Sequence, residues 1–218
     1  MISRPPPVPP EAFDEILEEL KRQPISTNKY RTKAGSGRSQ TFGIVNRRSL
    51  PPDYSRQNWW RPYLYHLCYE FGKKYVPFSF NSITVNQNYR ATAHYDKHNK
   101  GESYLVAFGS YEGGDLKLLD TDASGSYDIW CKPLVADFSK ILHEVDAFTG
   151  DRFSLVFYTF DTPRLPHLPP WELKEEGGKW FFYRDGKKVT REGGLPHPLK
   201  KESSLKIERG VKTVRFDQ

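Results

Sequence analysis

Three residues have the types and the spacing of a metal site. His94 and Asp96 are separated by one residue, and His143 lies much further along the chain. On a β-strand, residues i and i+2 point to the same side, so His94 and Asp96 face one point if their segment is extended. Two imidazoles and one carboxylate on one face of an octahedron leave three positions open. The set predicts an Fe(II) site with room for a bidentate co-substrate and dioxygen.

Arg152 adds an anion-binding group to this set. In the predicted strand that contains it, Arg152 and Ser154 share one face. An arginine in a mostly apolar strand requires an anion to offset its desolvation, and its planar guanidinium suits a carboxylate. The dicarboxylate 2-oxoglutarate would supply that anion, and the Ser154 hydroxyl can add a hydrogen bond. A structural salt bridge of Arg152 with Asp151 or Asp137 is the alternative.

The elements that must position these residues are mostly short strands. Two helices are predicted first, at 11–22 and 57–75, from apolar residues at a period near 3.6. Strand-like segments separated by turn signals follow at 78–88, 103–108, 115–119, 127–130, 134–138 and 153–160, with an earlier one at 41–45. Because the helices precede these strands, the pattern predicts a mainly β (α+β) fold. We expect a double-stranded β-helix, or jelly roll, with N-terminal helices packed on one face.

Composition shifts divide the chain into three predicted parts. Residues 1–28 form an N-terminal extension with a helix, 29–163 the jelly-roll domain, and 164–218 a basic C-terminal appendage. The segment Gly35–Ser36–Gly37 is predicted to be a flexible loop. In the appendage, the Asp185–Gly186 turn between two strand-like runs predicts a β-hairpin over 179–191.

Positive charge is concentrated in one segment near the N-terminus, residues 21–61. Residues 21–61 carry ten Lys or Arg and one Asp, whereas 62–170 carry ten and thirteen Asp or Glu. A localised basic segment is the electrostatic pattern of a nucleic-acid-binding protein, although solubilising charge alone is the alternative. The basic residues expected to hold phosphates are Lys29, Arg31, Lys33, Arg38, Arg47 and Arg48.

Cysteine use and hydropathy indicate the compartment. Cys68 and Cys131 fit neither a disulfide framework nor a zinc motif, so both are expected to be small buried apolar residues in a reducing compartment. The N-terminus lacks the apolar region of a secretory signal, and no apolar run is long enough to span a bilayer. We expect a soluble intracellular protein, nuclear or cytoplasmic, of viral or microbial origin, without a membrane partner.

The motifs resemble those of the jelly-roll Fe(II)/2-oxoglutarate dioxygenases. Within that superfamily, about a third of the chain is similar to the TET/JBP branch, which oxidises the methyl group of 5-methylcytosine or thymine in DNA. The similarity rests on Asn88–Tyr89–Arg90, on His94 to Asn99, on Gly113 to Leu116, on His143, and on Gly150 to Val156. The chain lacks the large Cys-rich region of TET enzymes, so it resembles a minimal core.

The resemblance implies roles for individual residues. His94, Asp96 and His143 would bind iron, and Arg152 would bind the distal carboxylate of 2-oxoglutarate. Two further positions would contact the target base, Asn99 through its amide and Tyr158 by stacking. As alternatives, Tyr158 is a plain core aromatic residue and Asn99 a turn residue.

Three other functions share part of this pattern. A protein hydroxylase that acts on prolyl or other side chains has the same iron ligands but does not need the basic segment. A non-catalytic nucleic-acid-binding jelly roll has no use for a buried Arg152. A repair demethylase of the AlkB kind shares the iron ligands, but its Asn-x-Tyr segment is not matched at the usual distance.

Overall fold

In a computed structural model of the protein, residues 2–25, 35–47, 50–160, 172–184, 186–189, 207–208 and 214–215 are described. A 3-10 turn at Pro10–Phe13 leads into α1 (Asp14–Arg22), and α2 (Gln57–Trp60) and α3 (Pro62–Tyr75) follow. The strands are β1 (Ile2–Ser3), β2 (Gly35–Arg47), β3 (Leu50–Tyr54), β4 (Ser82–Ala91), β5 (Ser103–Gly113), β6 (Leu116–Leu118), β7 (Gly125–Tyr127), β8 (Leu134–Ala136), β9 (His143–Val145), β10 (Phe148–Tyr158), β11 (Glu172–Glu176), β12 (Lys179–Arg184), β13 (Lys187–Val189), β14 (Ile207–Glu208) and β15 (Val214–Arg215).

Two antiparallel sheets form the jelly roll that the sequence predicts. The larger sheet has the strand order β1-β8-β5-β10-β4-β2-β3, and the smaller sheet has the order β7-β6-β9. An apolar cluster joins them, with Leu105 and Ala107 from the larger sheet and Leu116 and Leu118 from the smaller. Successive side chains of β10 point to opposite faces of the larger sheet. One face of β10 therefore packs toward the smaller sheet and the other toward the helices.

The helices cover the outer face of the larger sheet, as predicted. Phe13, at the start of the helical region, stacks on Phe108 of β5 at 4.6 Å between ring centroids, and Phe71 of α3 stacks on Phe157 of β10 at 5.8 Å. The prediction of a single helix over 57–75 is wrong in one respect, because the structure has two helices there. The helical segment breaks at Arg61, whose φ of −137° and ψ of 58° are not helical, because the residue before a proline is disfavoured in the α region.

The prediction of a flexible loop at Gly35–Ser36–Gly37 is wrong. These residues begin β2, which pairs with β4 and has a register shift between Ser36 and Arg38. A Cβ atom on Gly37 would lie 2.1 Å from the Asn88 carbonyl oxygen, so only glycine allows the two strands to approach this closely. The glycines therefore serve a close backbone contact between strands.

The C-terminal residues that the structure describes form a third sheet, ordered β14-β13-β12-β11-β15. Pairing of β12 with β13 confirms the predicted hairpin. This sheet packs on α3, where Trp180 stacks on Tyr63 at 4.7 Å and Phe182 joins the main core. The three-part division of the chain stays a prediction. The burial of Phe182 in the main core indicates that the last part shares a core with the rest.

Two predictions about the whole chain can be compared with the structure directly. Cys68 and Cys131 are both free and buried, which confirms their interpretation as small core residues. Among the described helices, none is long and apolar enough to cross a membrane.

Candidate metal centre

The backbone brings the three candidate ligands together at one end of the jelly roll. His143 begins β9, and an isolated antiparallel bridge joins it to His94 through two hydrogen bonds, of 3.0 and 3.1 Å. The Asp96 amide donates to the Phe138 carbonyl oxygen at 2.9 Å. Because β4 ends before His94, at Ala91, the predicted convergence occurs without the continuous strand that we assumed and depends on the isolated bridge to His143.

The ligand atoms of His94, Asp96 and His143 all lie within 4.8 Å of one another. His94 Nε2 is 3.6 Å from Asp96 Oδ1, and His143 Nε2 is 3.9 Å from Asp96 Oδ2. Imidazole and carboxylate ligands lie about 2.1 Å from a first-row ion such as zinc, which puts adjacent ligands of one ion about 3 Å apart. Small side-chain rotations would therefore close the three groups around one cation.

Both imidazoles are oriented to bind metal through Nε2. His94 Nδ1 is 2.7 Å from the Thr92 carbonyl oxygen, and His143 Nδ1 is 2.9 Å from that of Ile141. Because a carbonyl oxygen only accepts, each Nδ1 carries the proton and each Nε2 presents its lone pair, which is the usual arrangement of metal-binding histidines. Burial lowers the pKa of His143, which favours the neutral imidazole that a metal requires.

Arg152 is buried, with 2% of its surface exposed, and lies on β10 opposite Gly109 of β5. Its Nε donates to the Gly114 carbonyl oxygen at 3.1 Å, while Nη2 has no hydrogen-bond partner within the described part of the chain. Burial lowers the pKa of Arg152, and nearby Tyr111 opposes that shift. Among the described residues Arg152 forms no ion pair with either alternative partner: Asp151 accepts from Asn88, and Asp137 pairs with Lys140. A buried guanidinium with an unused donor is a candidate anion site.

The shape of this anion site depends on Gly114. A Cβ atom there would lie 2.9 Å from both Cδ and Nε of Arg152, and its φ of +74° is unfavourable for any other residue. The Tyr111 and Phe148 rings lie 5.4 and 5.6 Å from the guanidinium carbon. Asn88 holds the backbone here, because its Oδ1 accepts from the Arg152 amide at 2.8 Å.

A solved structure shares this architecture. NgTET1 in complex with 5mC DNA aligns with a TM-score of 0.55 and 15% identity, over 74% of this chain and 72% of that one. The fold is similar to that of NgTET1. A Pseudomonas putida prolyl-4-hydroxylase aligns with a TM-score of 0.46 and 12% identity, over 72% and 91% of the two chains. OsALKBH1 aligns with a TM-score of 0.47 and 15% identity, over 68% of this chain and 91% of that one.

Comparison by sequence adds nothing to this likeness. No model of a protein family matches the chain, and no curated protein matches it. At 15% identity the resemblance to NgTET1 concerns the fold, so the chemistry must be argued from the side chains.

Polar side chains from β4 and β10 line the jelly-roll interior. Ser154 is buried and accepts from Asn86 Nδ2 at 3.1 Å, and the Tyr158 hydroxyl lies 3.2 Å from Thr84 Oγ1. Our sequence reasoning missed Thr84 and Asn86 as lining residues. The signal was present, because both alternate with Ile83 and Val85, which belong to the outer core.

Of the remaining residues predicted to bind substrate, Asn99 lies beside a candidate ligand and Arg38 lies on the surface. Asn99 Nδ2 donates to Asp96 Oδ2 at 3.4 Å and to Ser103 Oγ at 3.2 Å, so the amide touches a candidate ligand. Arg38 is exposed on β2. For Arg47 the structure describes the backbone alone, and the other basic residues of the segment lie outside the described residues: Lys29, Arg31, Lys33 and Arg48.

Proposed function

We propose that the protein is an Fe(II)- and 2-oxoglutarate-dependent dioxygenase that oxidises the methyl group of 5-methylcytosine or thymine in DNA. The observation that carries the proposal is the pairing of two features. His94, Asp96 and His143 converge, and a buried Arg152 with an unused donor lies on β10, the strand that follows β9 in the chain. A metal-binding triad alone fits many chemistries, whereas a triad with a buried carboxylate-binding group fits a metal and an acidic co-substrate.

The chain's own residues would bind and orient the reactants. His94, Asp96 and His143 would hold Fe(II) through two nitrogens and one oxygen, which leaves three positions for other ligands. Arg152 would take the distal carboxylate of 2-oxoglutarate in a charge-assisted hydrogen bond, with Ser154 beside it. Bound iron and co-substrate would supply the oxidation, in which one dioxygen gives a hydroxymethyl group, succinate and carbon dioxide.

A DNA substrate is supported by the basic segment and by the interior near β10. A base inside a duplex cannot reach an enclosed metal, so it would have to be flipped out of the stack. Tyr158, oriented by Thr84, would stack on the flipped pyrimidine, and Asn99 would contact its edge. The cationic residues would hold the phosphates: Arg31, Arg38, Arg47 and Arg48. The similar protein NgTET1 was solved with 5mC DNA.

The test is direct product analysis. Purified protein is incubated with Fe(II), 2-oxoglutarate and duplex DNA that contains 5-methylcytosine, or thymine alone, and the DNA is digested to nucleosides for mass spectrometry. We expect a 5-methylpyrimidine nucleoside heavier by one oxygen atom, formed together with succinate. The double variant His94→Ala/Asp96→Ala should form neither product, and the exposed control Asp122→Asn should match the wild type.

Each other result points to a different function. Succinate release without an oxidised nucleoside would keep the oxygenase and remove the DNA substrate, after which peptide substrates are the next to test. DNA binding without succinate would indicate a non-catalytic jelly roll. Turnover that survives the double variant would refute the metal site.

A further inference from the structure

A single carboxylate connects the two chain segments that carry the candidate metal ligands. Asp120 Oδ1 accepts a hydrogen bond of 2.6 Å from the Leu142 amide, next to His143. Asp120 Oδ2 accepts one from the hydroxyl of Tyr95, the residue between His94 and Asp96. Leu142 and Tyr95 belong to segments that are distant in sequence, so Asp120 is a bridge between them.

The position of Asp120 is set by the strands and the turn around it. Asp120 follows β6, where Leu118 pairs with His143 and the Leu119 amide donates to the Leu142 carbonyl oxygen at 2.9 Å. After it, the Thr121 backbone carbonyl accepts from the Ser124 amide at 2.9 Å, and Ser124 Oγ receives a bond from the Thr121 amide. The carboxylate is therefore held by a closed turn beside β9.

We propose that Asp120 is a positioning residue for the metal centre, which holds the His94–Asp96 segment against His143 through Tyr95 and Leu142. This inference rests on the proposed function, because it concerns the same three ligands. The Asp120 carboxylate accepts hydrogen bonds from the Tyr95 hydroxyl and from the Leu142 amide, and both residues adjoin ligands in the chain. It therefore acts through these two neighbours.

The need for this bridge follows from the local structure. His94 and Asp96 lie beyond the end of β4, where the sheet no longer supports the chain, and the His94–His143 bridge is an isolated pair. Ligands on such a segment lose metal affinity when the segment can move, since the ion then has to order it on binding. Removing groups that orient metal ligands typically weakens metal binding by about 10- to 100-fold.

Chemistry at the bridge agrees with an ionised carboxylate. The hydrogen bond from Tyr95 lowers the pKa of Asp120, and the Leu142 amide acts in the same direction. Since Asp120 is exposed, water competes with both bonds, and we expect the effect on metal affinity to lie at the lower end of that range.

The experiment measures metal affinity rather than turnover. Metal-free protein is titrated with Co(II), and the visible absorption of the bound ion gives the dissociation constant. We expect Asp120→Ala to bind Co(II) about tenfold more weakly than wild type and Tyr95→Phe a few-fold more weakly. In the double variant, Tyr95→Phe should add little to Asp120→Ala, because both remove the same hydrogen bond. The control Asp122→Asn, in the same turn, should bind as wild type.

The outcomes separate this inference from the proposed function. If wild type does not bind Co(II), the metal centre is refuted and the bridge with it. If wild type binds and both Asp120→Ala and Tyr95→Phe bind equally well, the metal centre stands and the bridge is refuted. Should Asp120→Ala fail to fold, as judged by circular dichroism of the metal-free protein, Tyr95→Phe decides alone, because it removes one hydroxyl from an exposed ring.

Discussion

Substitution of Gly114 by alanine tests the anion site without touching its charge. The new Cβ would lie 2.9 Å from Arg152 Cδ and Nε, so the guanidinium has to move away from the Gly114 carbonyl oxygen that now accepts from it. Alanine would also have to adopt the φ of +74°, which costs about 1–2 kcal/mol of folding stability. Two effects are therefore expected, one on unfolding and one on ligand binding.

The magnitudes follow from the contacts. Strain alone should lower the melting temperature by about 2–8 °C in a chain of this size. Misplacing the guanidinium should remove a charge-assisted hydrogen bond to 2-oxoglutarate, about 1.5–3 kcal/mol, which corresponds to about 10- to 100-fold weaker binding. Isothermal titration of the Mn(II)-loaded protein with 2-oxoglutarate measures this change.

Gly178 is the matched control. Its φ of +75° is nearly that of Gly114, but a Cβ atom there meets nothing within 4 Å. Gly178→Ala should therefore show the loss of stability without the loss of affinity for 2-oxoglutarate. Unchanged affinity in Gly114→Ala would refute the assignment of Arg152 as the group that binds the co-substrate carboxylate.

Three further predictions concern pH, packing and metal removal. Burial lowers the pKa of His66 to about 4, so His66 stays uncharged in the folded protein near neutral pH. As the pH falls from 6.5 toward 4, the unfolded chain takes up a proton on His66 and the folded protein does not, so the free energy of unfolding decreases over this range. Between pH 7.5 and 4.5 the free energy of unfolding, measured with urea, should fall by about 2 kcal/mol less in His66→Gln than in wild type. An equal fall in both proteins would contradict this prediction. Phe157→Ala should lower the unfolding free energy by about 3–5 kcal/mol, because Phe157 is fully buried under α3; a loss below about 1 kcal/mol would contradict the packing. Metal at about 100 times its dissociation constant should raise the melting temperature by about 5–10 °C, chelator should reverse the rise, and the same rise in His143→Ala would be inconsistent with the site.

Sequence alone predicted the jelly roll from local patterns, and it predicted that His143 joins His94 and Asp96 from the residue types of a metal-binding triad. Alternation along β4 and β10 marks strands with one apolar face and one more polar face, and His94 and Asp96 at i and i+2 share a side in any extended segment. The arginine of the candidate anion site was recognisable because it shares a predicted strand with mostly apolar residues.

Features that depend on contacts between distant segments could not be predicted. Asp120 reaches Tyr95 and Leu142 only because β6 pairs with β9 in one register, and no local pattern encodes that register. The glycines at the start of β2 were misassigned for a related reason. Glycine is common in turns, and its use for a close contact with Asn88 of β4 is visible only once the two strands are paired.

Packing of the C-terminal sheet on α3 has a practical consequence for shortened versions of the protein. Removal of the residues after β10 would uncover Trp59, Tyr63 and Tyr65, which contact Phe182 and Trp180 in the intact chain. A bare aromatic surface of this kind promotes aggregation. Heating should accordingly melt the jelly roll and the last sheet together, in one transition, and the jelly roll should not stay stable and soluble once the residues after β10 are trimmed from the gene.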